Sequence, residues 1–257
     1  MSVLDKFCYN IFHIPGYGDS ASIRQSLFDE LDLYLSDKIS KLDTPTILIS
    51  SEKDYFDTQD KYQILDPRSK FKWGELGIWA SNLVAMKNFI DSDKEYLMLM
   101  EDDIYVKDKD LFLTLLDRYM LLLPDSWDIF SYFVHPKEYW LGYGVEVDNS
   151  IPGFPVYRNV LPPGVSFESD VVEAYQDWSL LCYIVNRDSA KKILDFVKEN
   201  GITEPIDWFI FNKFNKVFNT YTISPEATPG CELYETTSQF QQKEMPMTIP
   251  GKRTIID

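Results

Sequence analysis

The sequence predicts an α/β fold in which a mostly parallel sheet is packed between helices. The first observation is the apolar run over residues 96–100, because a strand without hydrophobic alternation is typical of a parallel sheet buried on both faces. The second is that strand-like runs alternate with segments of helical period. The third is the acidic triplet Glu101-Asp102-Asp103 directly after the apolar run, since open α/β sheets bind ligands beyond the carboxyl ends of their strands.

The chain has the length and apolar content for one large domain or two small ones, with 257 residues, 45% hydrophobic and 15% aromatic. We expect a single domain over residues 1–223. Residues 135–176 are rich in Pro, Gly, Tyr and Trp without a clear period, which favours an acceptor-side insertion that covers a substrate, or a small sheet, over a linker. Residues 224–257 are polar and contain proline, and we expect this tail to pack on the domain or to be partly mobile.

The net charge of −16 argues against broad, nonspecific contact with nucleic acid or anionic membrane, although a local basic groove stays open as a possibility. The three cysteines show no metal spacing and fit a reducing cytosol, so we expect a cytoplasmic protein. The two histidines do not suffice for a histidine-rich zinc site. No apolar run reaches the length of a membrane span, and residues 2–5 lack the features of a signal peptide.

The first predicted elements are a strand over residues 7–14, a turn over residues 15–19 and a helix with Leu27, Leu31 and Leu35 at helical spacing. The turn contains two glycines but lacks the G-x-G-x-x-G fingerprint of dinucleotide-binding folds. Arg24 lies early in the helix. It can either reach a phosphate or pair with a neighbouring surface acid.

The next predicted elements are a strand over residues 46–50, a polar connection over residues 51–72 and a helix over residues 74–90. The apolar residues of this helix recur near the helical period and predict one apolar face. Gly74 and Gly77 allow a close backbone approach, either to a ligand or to a neighbouring strand.

The acidic triplet has two interpretations. Three adjacent carboxylates repel one another unless a cation neutralises them, and a divalent cation with oxygen ligands can bridge them to a diphosphate. Alternatively, the triplet is a solvated turn before the next helix, which Asp108 or Asp110 caps and Pro124 ends.

The remaining predicted elements are strands over residues 127–134, 179–186 and 217–223, a helix over residues 187–200 that Gly201 ends, and a further helix from Glu204. Four aromatic residues of the 135–176 segment either stack on sugar rings or bases or fill a local core. They are Tyr139, Trp140, Tyr143 and Tyr157.

Four segments, in this order, resemble the motifs of glycosyltransferase family 25, the lipopolysaccharide glycosyltransferases. Residues 74–83 (GELGIWASNL) are similar to the G-E-[IL]-G-C-x-x-S-H-x segment of the family, and residues 97–104 (LMLMEDDI) resemble its apolar strand ending in E-D-D. Residues 183–192 (YIVNRDSAKK) resemble its Y-x-[IV]-S-x-x-[GA]-A-x-K piece, and residues 205–208 (PIDW) resemble its P-[IV]-D segment.

The chain also departs from the family pattern. Asn82 stands in place of the histidine of S-H, Ile78 in place of the cysteine, and the arginine-rich turn is reduced to Arg24. The chain therefore resembles a divergent branch, for example a viral or phage member.

The resemblance implies a GT-A fold, which is a Rossmann-like α/β sandwich. It implies metal-dependent transfer of a sugar from a nucleotide diphosphate sugar, expected to be a UDP-sugar, to a hydroxyl of a glycan or other acceptor, with inversion. It also implies Mn²⁺ or Mg²⁺ as the cofactor and polysaccharide biosynthesis as the setting.

The same resemblance assigns roles to individual residues. Asp103 is the expected metal ligand, with Glu101 as a direct or water-mediated helper. Asp207 is the first choice for the general base and Asp177 is the second. The expected donor-binding residues are Arg24, Glu75, Gly77, Ser81, Asn82 and Asp102, of which Asp102 faces the ribose or the donor sugar.

Three other function classes are weighed against this one. A module that binds a nucleotide sugar or glycan without turnover would release no nucleotide diphosphate. A haloacid-type phosphatase needs an aspartate followed two residues later by a second aspartate, which Glu101-x-Asp103 and Asp102-x-Ile104 both fail to provide. A nucleic-acid-binding role has no basic stripe to support it.

Overall fold

The computed structural model of the protein describes residues 2–16, 21–106, 108–132, 171–173, 181–210, 217–223 and 231–233. The strands in these residues are β1 (Phe7–Phe12), β2 (Ser40–Lys41), β3 (Tyr96–Glu101), β4 (Ile104–Val106), β5 (Ile129–Ser131), β6 (Val171–Glu173), β7 (Cys182–Asn186), β8 (Thr220–Ile223) and β9 (Cys231–Leu233). The helices are a 3₁₀ turn (Val3–Lys6), α1 (Ala21–Ser36), α2 (Glu52–Tyr62), α3 (Trp73–Ile90), α4 (Lys109–Met120), α5 (Arg187–Asn200) and α6 (Ile206–Ile210).

Seven strands form one sheet, in the order β2-β1-β3-β7-β5-β8-β6. Strands β1, β2, β3, β5 and β8 run in one direction, and β6 and β7 run against it. The predicted α/β, Rossmann-like sandwich with a mostly parallel sheet is therefore confirmed. Strands β4 and β9 form a separate antiparallel pair, which joins residues 231–233 of the tail to the segment directly after the acidic triplet.

The side chains of β3 alternate between two hydrophobic cores, one on each face of the sheet. Leu97 and Leu99 pack with residues of α3 and α5, whereas Met98 and Met100 pack with residues of α1 and α4. All four side chains are fully buried. Burying a side chain of this size stabilises the fold by roughly 1.5–3 kcal/mol, so β3 is a central strand of the kind that its uninterrupted apolar run predicts.

Helix α3 is buried on most of its surface, which corrects the prediction of a single apolar face. Most of its 18 residues are buried, including the polar residues Ser81 and Asn82. A helix that is apolar on nearly all sides belongs in a core. The polar side chains are tolerated there because they bond to backbone atoms: Ser81 Oγ donates to Gly77 O at 2.8 Å, and Asn82 Nδ2 donates to Ile78 O at 2.8 Å.

The strand predicted over residues 46–50 is wrong, because this segment has no strand partner in the described residues and packs against α3 instead. Its Ile47 N–H donates to Ser81 Oγ at 2.8 Å. A Cβ added to Gly77 would lie 2.8 Å from Ile47 O, so the helix and this segment are in direct backbone contact. The Ile47 N–H, which in a strand would bond to a neighbouring strand, here bonds to a side chain of a helix.

The polar connection predicted over residues 51–72 contains helix α2, which the sequence analysis missed. Ser51 caps this helix by accepting from Asp54 N–H, a standard start signal. Tyr55 and Thr58 are its buried residues. With so few buried positions, the helix has too few apolar side chains to produce a recognisable period.

Two predicted helix boundaries are confirmed. Asp108 caps α4, since its Oδ1 accepts from Leu111 N–H at 2.9 Å. Gly201 ends α5 with a φ of 72°, a conformation that glycine adopts at little cost. Within the described residues, every helix is too short or too polar to cross a lipid bilayer.

Several expectations concern residues outside the described part of the chain. Apart from β6, they include the insertion over residues 135–176 and most of the tail over residues 224–257. The aromatic residues Tyr139, Trp140, Tyr143 and Tyr157 also lie there.

We expect Gly77→Ala to destabilise the fold by about 1–3 kcal/mol, the cost of overpacking a tight contact. The new methyl group would lie 2.8 Å from Ile47 O and 3.2 Å from Ile49 N, both backbone atoms that cannot rotate away. Urea denaturation followed by circular dichroism measures the loss. Lys87→Ala, at an exposed position of the same helix, is the control and should change stability little. Equal stability of the two variants would contradict the contact.

Candidate active site

The acidic triplet lies at the carboxyl edge of the two central parallel strands. Glu101 is the last residue of β3, Asp102 and Asp103 form a turn, and β4 follows at once. The parallel register of β1 and β3 pairs Phe12 with Glu101, so the residue after β1, His13, lies at the same edge. This edge is where α/β sheets commonly bind ligands.

Asp102 is the buried centre of a charged network. Its side chain is 3% exposed. Arg24 donates to Asp102 Oδ1 through Nε at 2.6 Å and also through Nη2, while Asp102 Oδ2 lies 2.6 Å from His13 Nδ1. A buried carboxylate is stable in such a place because charge-assisted hydrogen bonds satisfy both of its oxygens.

His13 was not among the residues that the sequence analysis proposed for a site. Its backbone N–H donates to Thr46 Oγ1 at 2.9 Å, and its ring stacks on Phe28 with centroids 4.4 Å apart. Its Nε2 lies 2.9 Å from Gln25 Oε1. Its position could have predicted this location. His13 directly follows the first strand, and the carboxyl ends of parallel strands lie at the same edge of a sheet.

Glu101 is the residue whose acidity the site changes most clearly. Its pKa is raised to about 8, first by burial and then by the negative charges of Asp103, Asp102 and Asp207. The Arg24 guanidinium opposes it and lowers the pKa. The charges of the triplet, of Arg24 and of Asp207 therefore all act at this one edge of the sheet.

Asp207, the first choice for a general base, lies in the first turn of α6. Its Oδ1 accepts from Trp208 N–H at 2.9 Å. Helix α6 is held against α3, because Trp79 Nε1 donates to Glu204 O at 3.0 Å and the Trp79 ring meets Phe209 edge-on. The second choice, Asp177, lies outside the described residues.

The predicted donor-binding residues of α3 all have contacts within the protein. Glu75 accepts from the Lys72 backbone N–H at 2.7 Å, and Gly77 is in contact with the backbone of residues 47–49. Ser81 bonds to backbone groups, and Asn82 Oδ1 accepts from the buried Tyr183 hydroxyl. Their roles in donor binding stay predictions.

The Tyr183 hydroxyl connects α3 to the acidic edge. Burial raises the pKa of Tyr183 far above its usual value, and the negative charge of Glu101 adds to the rise. Tyr183 is therefore a neutral hydrogen-bond donor. It donates to Asn82 Oδ1 and so fixes the orientation of the Asn82 amide.

The residues at this edge suit a cation that a substrate helps to bind. Among the described residues, no group of three or more His, Cys, Asp or Glu side chains is arranged to hold a metal ion alone. Mg²⁺ is commonly held by one or two carboxylates together with substrate phosphates. Within the triplet, Asp102 is bonded to Arg24 and His13. The roles of Asp103 and Glu101 in metal binding stay predictions.

We expect Glu101→Gln to remove part of the loss of stability that the protein shows between pH 4.5 and pH 8. A carboxyl whose pKa is raised from 4.5 to about 8 on folding contributes stability that is present below the lower value and lost as pH rises through the upper one. Denaturation midpoints of both proteins across this range, without divalent cations, measure the effect. Asp195→Asn, at an exposed position of α5, is the control. Parallel curves for Glu101→Gln and the native chain would contradict the raised pKa of Glu101.

No protein-family model and no curated protein matches the chain. Among solved structures, the chain is similar to a glycosyltransferase described as involved in the glycosylation of the major capsid of PBCV-1. The identity is 9%, the match covers 87% of this chain and 94% of that chain, and the TM-score is 0.31. Membership of glycosyltransferase family 25 stays a prediction, and the case for an activity depends on the site residues.

Proposed function

We propose that the protein is a glycosyltransferase of the GT-A type that moves a sugar from a nucleotide diphosphate sugar to a hydroxyl of a glycan or other acceptor. The observation that supports this most is the charge arrangement at the end of β3, where the charges of Asp103 and Arg24 both act on Glu101. Carboxylates attract a divalent cation, and a guanidinium attracts phosphate oxygens. A diphosphate with a bound cation would interact with both the carboxylates and the guanidinium. The sequence resemblance favours UDP as the nucleotide.

Glu101 and Asp103 are the residues that would hold Mn²⁺ or Mg²⁺, and phosphate oxygens and water would complete its coordination. When bound, such an ion stabilises the negative charge that develops on the departing nucleotide diphosphate. The buried position of Asp102 supports an indirect contribution to donor binding, in which it holds Arg24 rather than contacting the sugar.

In the proposed reaction, the acceptor hydroxyl attacks the anomeric carbon of the donor sugar. The new C–O bond forms as the bond between that carbon and the diphosphate oxygen breaks, and the configuration inverts. The hydroxyl proton passes to a general base, for which we propose Asp207. Its charge acts on Glu101, which supports a position near the bound diphosphate. Asp177 is the alternative base.

A binding module without turnover is the rival proposal. It would retain the affinity for a nucleotide sugar but release no nucleotide diphosphate when an acceptor or water is supplied. Direct assay of the released nucleotide diphosphate separates the two, since binding assays give the same result for both.

We expect Asp103→Ala to lose the metal-dependent part of the affinity for UDP and UDP-sugars. The native chain should gain thermal stability when Mn²⁺ and a nucleotide are added together, because ligands that bind the folded state raise its melting temperature. The variant should gain much less. Asp195→Asn, which removes an exposed acid of α5, is the matched control. An unchanged gain in Asp103→Ala would exclude Asp103 as a ligand.

We expect Asp207→Asn to bind donor and metal normally but to lower kcat by about 10²–10⁴-fold, the usual contribution of a general base. The amide is similar in size to the carboxylate and still accepts from Trp208 N–H, so the start of α6 should be preserved. Steady-state transfer kinetics and donor affinity are both needed. Normal turnover in this variant would shift the assignment to Asp177.

A further inference from the structure

His13 is a buried, fully bonded side chain at the proposed site that the reaction itself does not use. Its side chain is 6% exposed, and both of its ring nitrogens lie within hydrogen-bond distance of oxygen atoms. Nδ1 lies 2.6 Å from Asp102 Oδ2, and Nε2 lies 2.9 Å from Gln25 Oε1. A side chain with this many contacts has a defined orientation and a defined pattern of protons.

The orientation of Gln25 decides which atom donates at Nε2. Gln25 Nε2 donates to Asp29 Oδ1 at 2.8 Å, so its amide oxygen faces His13. His13 Nε2 must then carry a proton, as must Nδ1 opposite the carboxylate of Asp102. The surroundings are therefore complementary to a protonated imidazole.

The aromatic neighbour of His13, Phe28, also favours a positively charged imidazole. The His13 ring lies nearly parallel to Phe28, with centroids 4.4 Å apart and planes inclined by 13°. The faces of aromatic rings attract cations. Lys41 Nζ lies 5.4 Å from the centroid of the same ring, so Phe28 has two cationic neighbours.

Arg24 depends on this arrangement through Asp102. Its Nε and Nη2 both donate to Asp102 Oδ1, and in the described part of the chain its Nη1 makes no hydrogen bond. Its side chain is 17% exposed, and its charge acts on Glu101. The guanidinium thus keeps one donor edge for a ligand at the carboxyl end of β3.

The charges of the three residues leave a net positive unit. The carboxylate of Asp102 cancels one positive charge, so a protonated His13 and Arg24 together leave a charge of plus one beside the acids. With a neutral or absent imidazole, Asp102 would neutralise Arg24 completely. An anionic ligand would then meet an uncharged pair next to Glu101 and Asp103.

We propose that His13 is a positioning residue for the nucleotide diphosphate of the donor. By holding Asp102 Oδ2, it leaves Oδ1 to fix Arg24, and its charge lets the guanidinium attract the diphosphate instead of being neutralised. The inference rests on the proposed function, because the ligand class comes from there. The role differs from catalysis, since His13 contacts the site through Asp102.

The test is the affinity of the full chain for UDP with Mg²⁺, measured by isothermal titration calorimetry. His13→Gln keeps a donor for Asp102 but removes the charge. It should weaken UDP binding by about ten- to a hundredfold, the effect expected when one unit charge is removed several ångströms from a charged ligand in a partly buried site. Arg24→Gln should weaken it similarly, and the double variant should lose little more, because both act through one carboxylate.

Two further variants separate positioning from loss of structure. Lys41→Ala removes the other cationic neighbour of Phe28 without touching Asp102, and it should bind UDP as the native chain does. Gln25→Leu, on the partly exposed side of α1, removes the acceptor of His13 Nε2 and should lower UDP affinity severalfold. It keeps the inference testable if His13→Gln fails to fold.

The outcomes separate the inference from the proposed function. If the native chain does not bind UDP or another nucleoside diphosphate, the proposed function fails and the inference fails with it. If the native chain and His13→Gln bind equally well while Arg24→Gln does not, the inference alone is overturned. Additive losses in the double variant would also overturn it.

Discussion

The buried carboxylate of Asp102 is the interaction on which the arrangement of the candidate site depends. It joins the end of β3 to the end of β1 through His13 and to α1 through Arg24. Removing one partner of a buried ion pair typically costs about 3–5 kcal/mol, because the remaining charge is left without compensation. Such pairs often contribute little net stability compared with apolar residues, so their value here lies in fixing the relative positions of the three elements.

The electrostatics of the site follow from where that carboxylate is placed. Asp102 is bonded from two sides, by Arg24 and by His13. The proposed function assigns the cation to Glu101 and Asp103. Burial and neighbouring acids raise the pKa of Glu101 to about 8, which means that the ionised form of this carboxyl is disfavoured in the folded protein. With a net charge of −16, the protein repels anionic ligands at long range. The proposed binding of a diphosphate therefore requires a bound cation and a local positive group.

Helix α3 packs against β1 and β3, the two strands that end at the candidate site. Its backbone meets residues 47–49 at Gly77, and its buried polar side chains are bonded to the backbone or to Tyr183. The segment of α3 that resembles a glycosyltransferase motif therefore has a packing reason for each of these residues.

The sequence predicted the structure best where the hydrophobic pattern of an element matches its burial, and where a capping residue marks the end of a helix. The uninterrupted apolar run of β3 predicted a strand with two covered faces, and Asp108 and Gly201 marked helix ends through their capping chemistry. The apolar residues 46–50 were assigned to a strand, because a short apolar run does not show whether its partner is a strand or a helix. Helix α2 was missed because it has few buried side chains.

By itself, the sequence determined that acids follow a buried strand and that Arg24 begins a helix after the first strand. Only the tertiary structure decided which acidic side chain pairs with which basic side chain. Asp102 is bonded to Arg24, 78 positions away, and to His13, 89 positions away. The physical reason is that such pairs are set by the register of β1 against β3 and by the packing of α1 on the sheet. Neither leaves a local pattern along the chain.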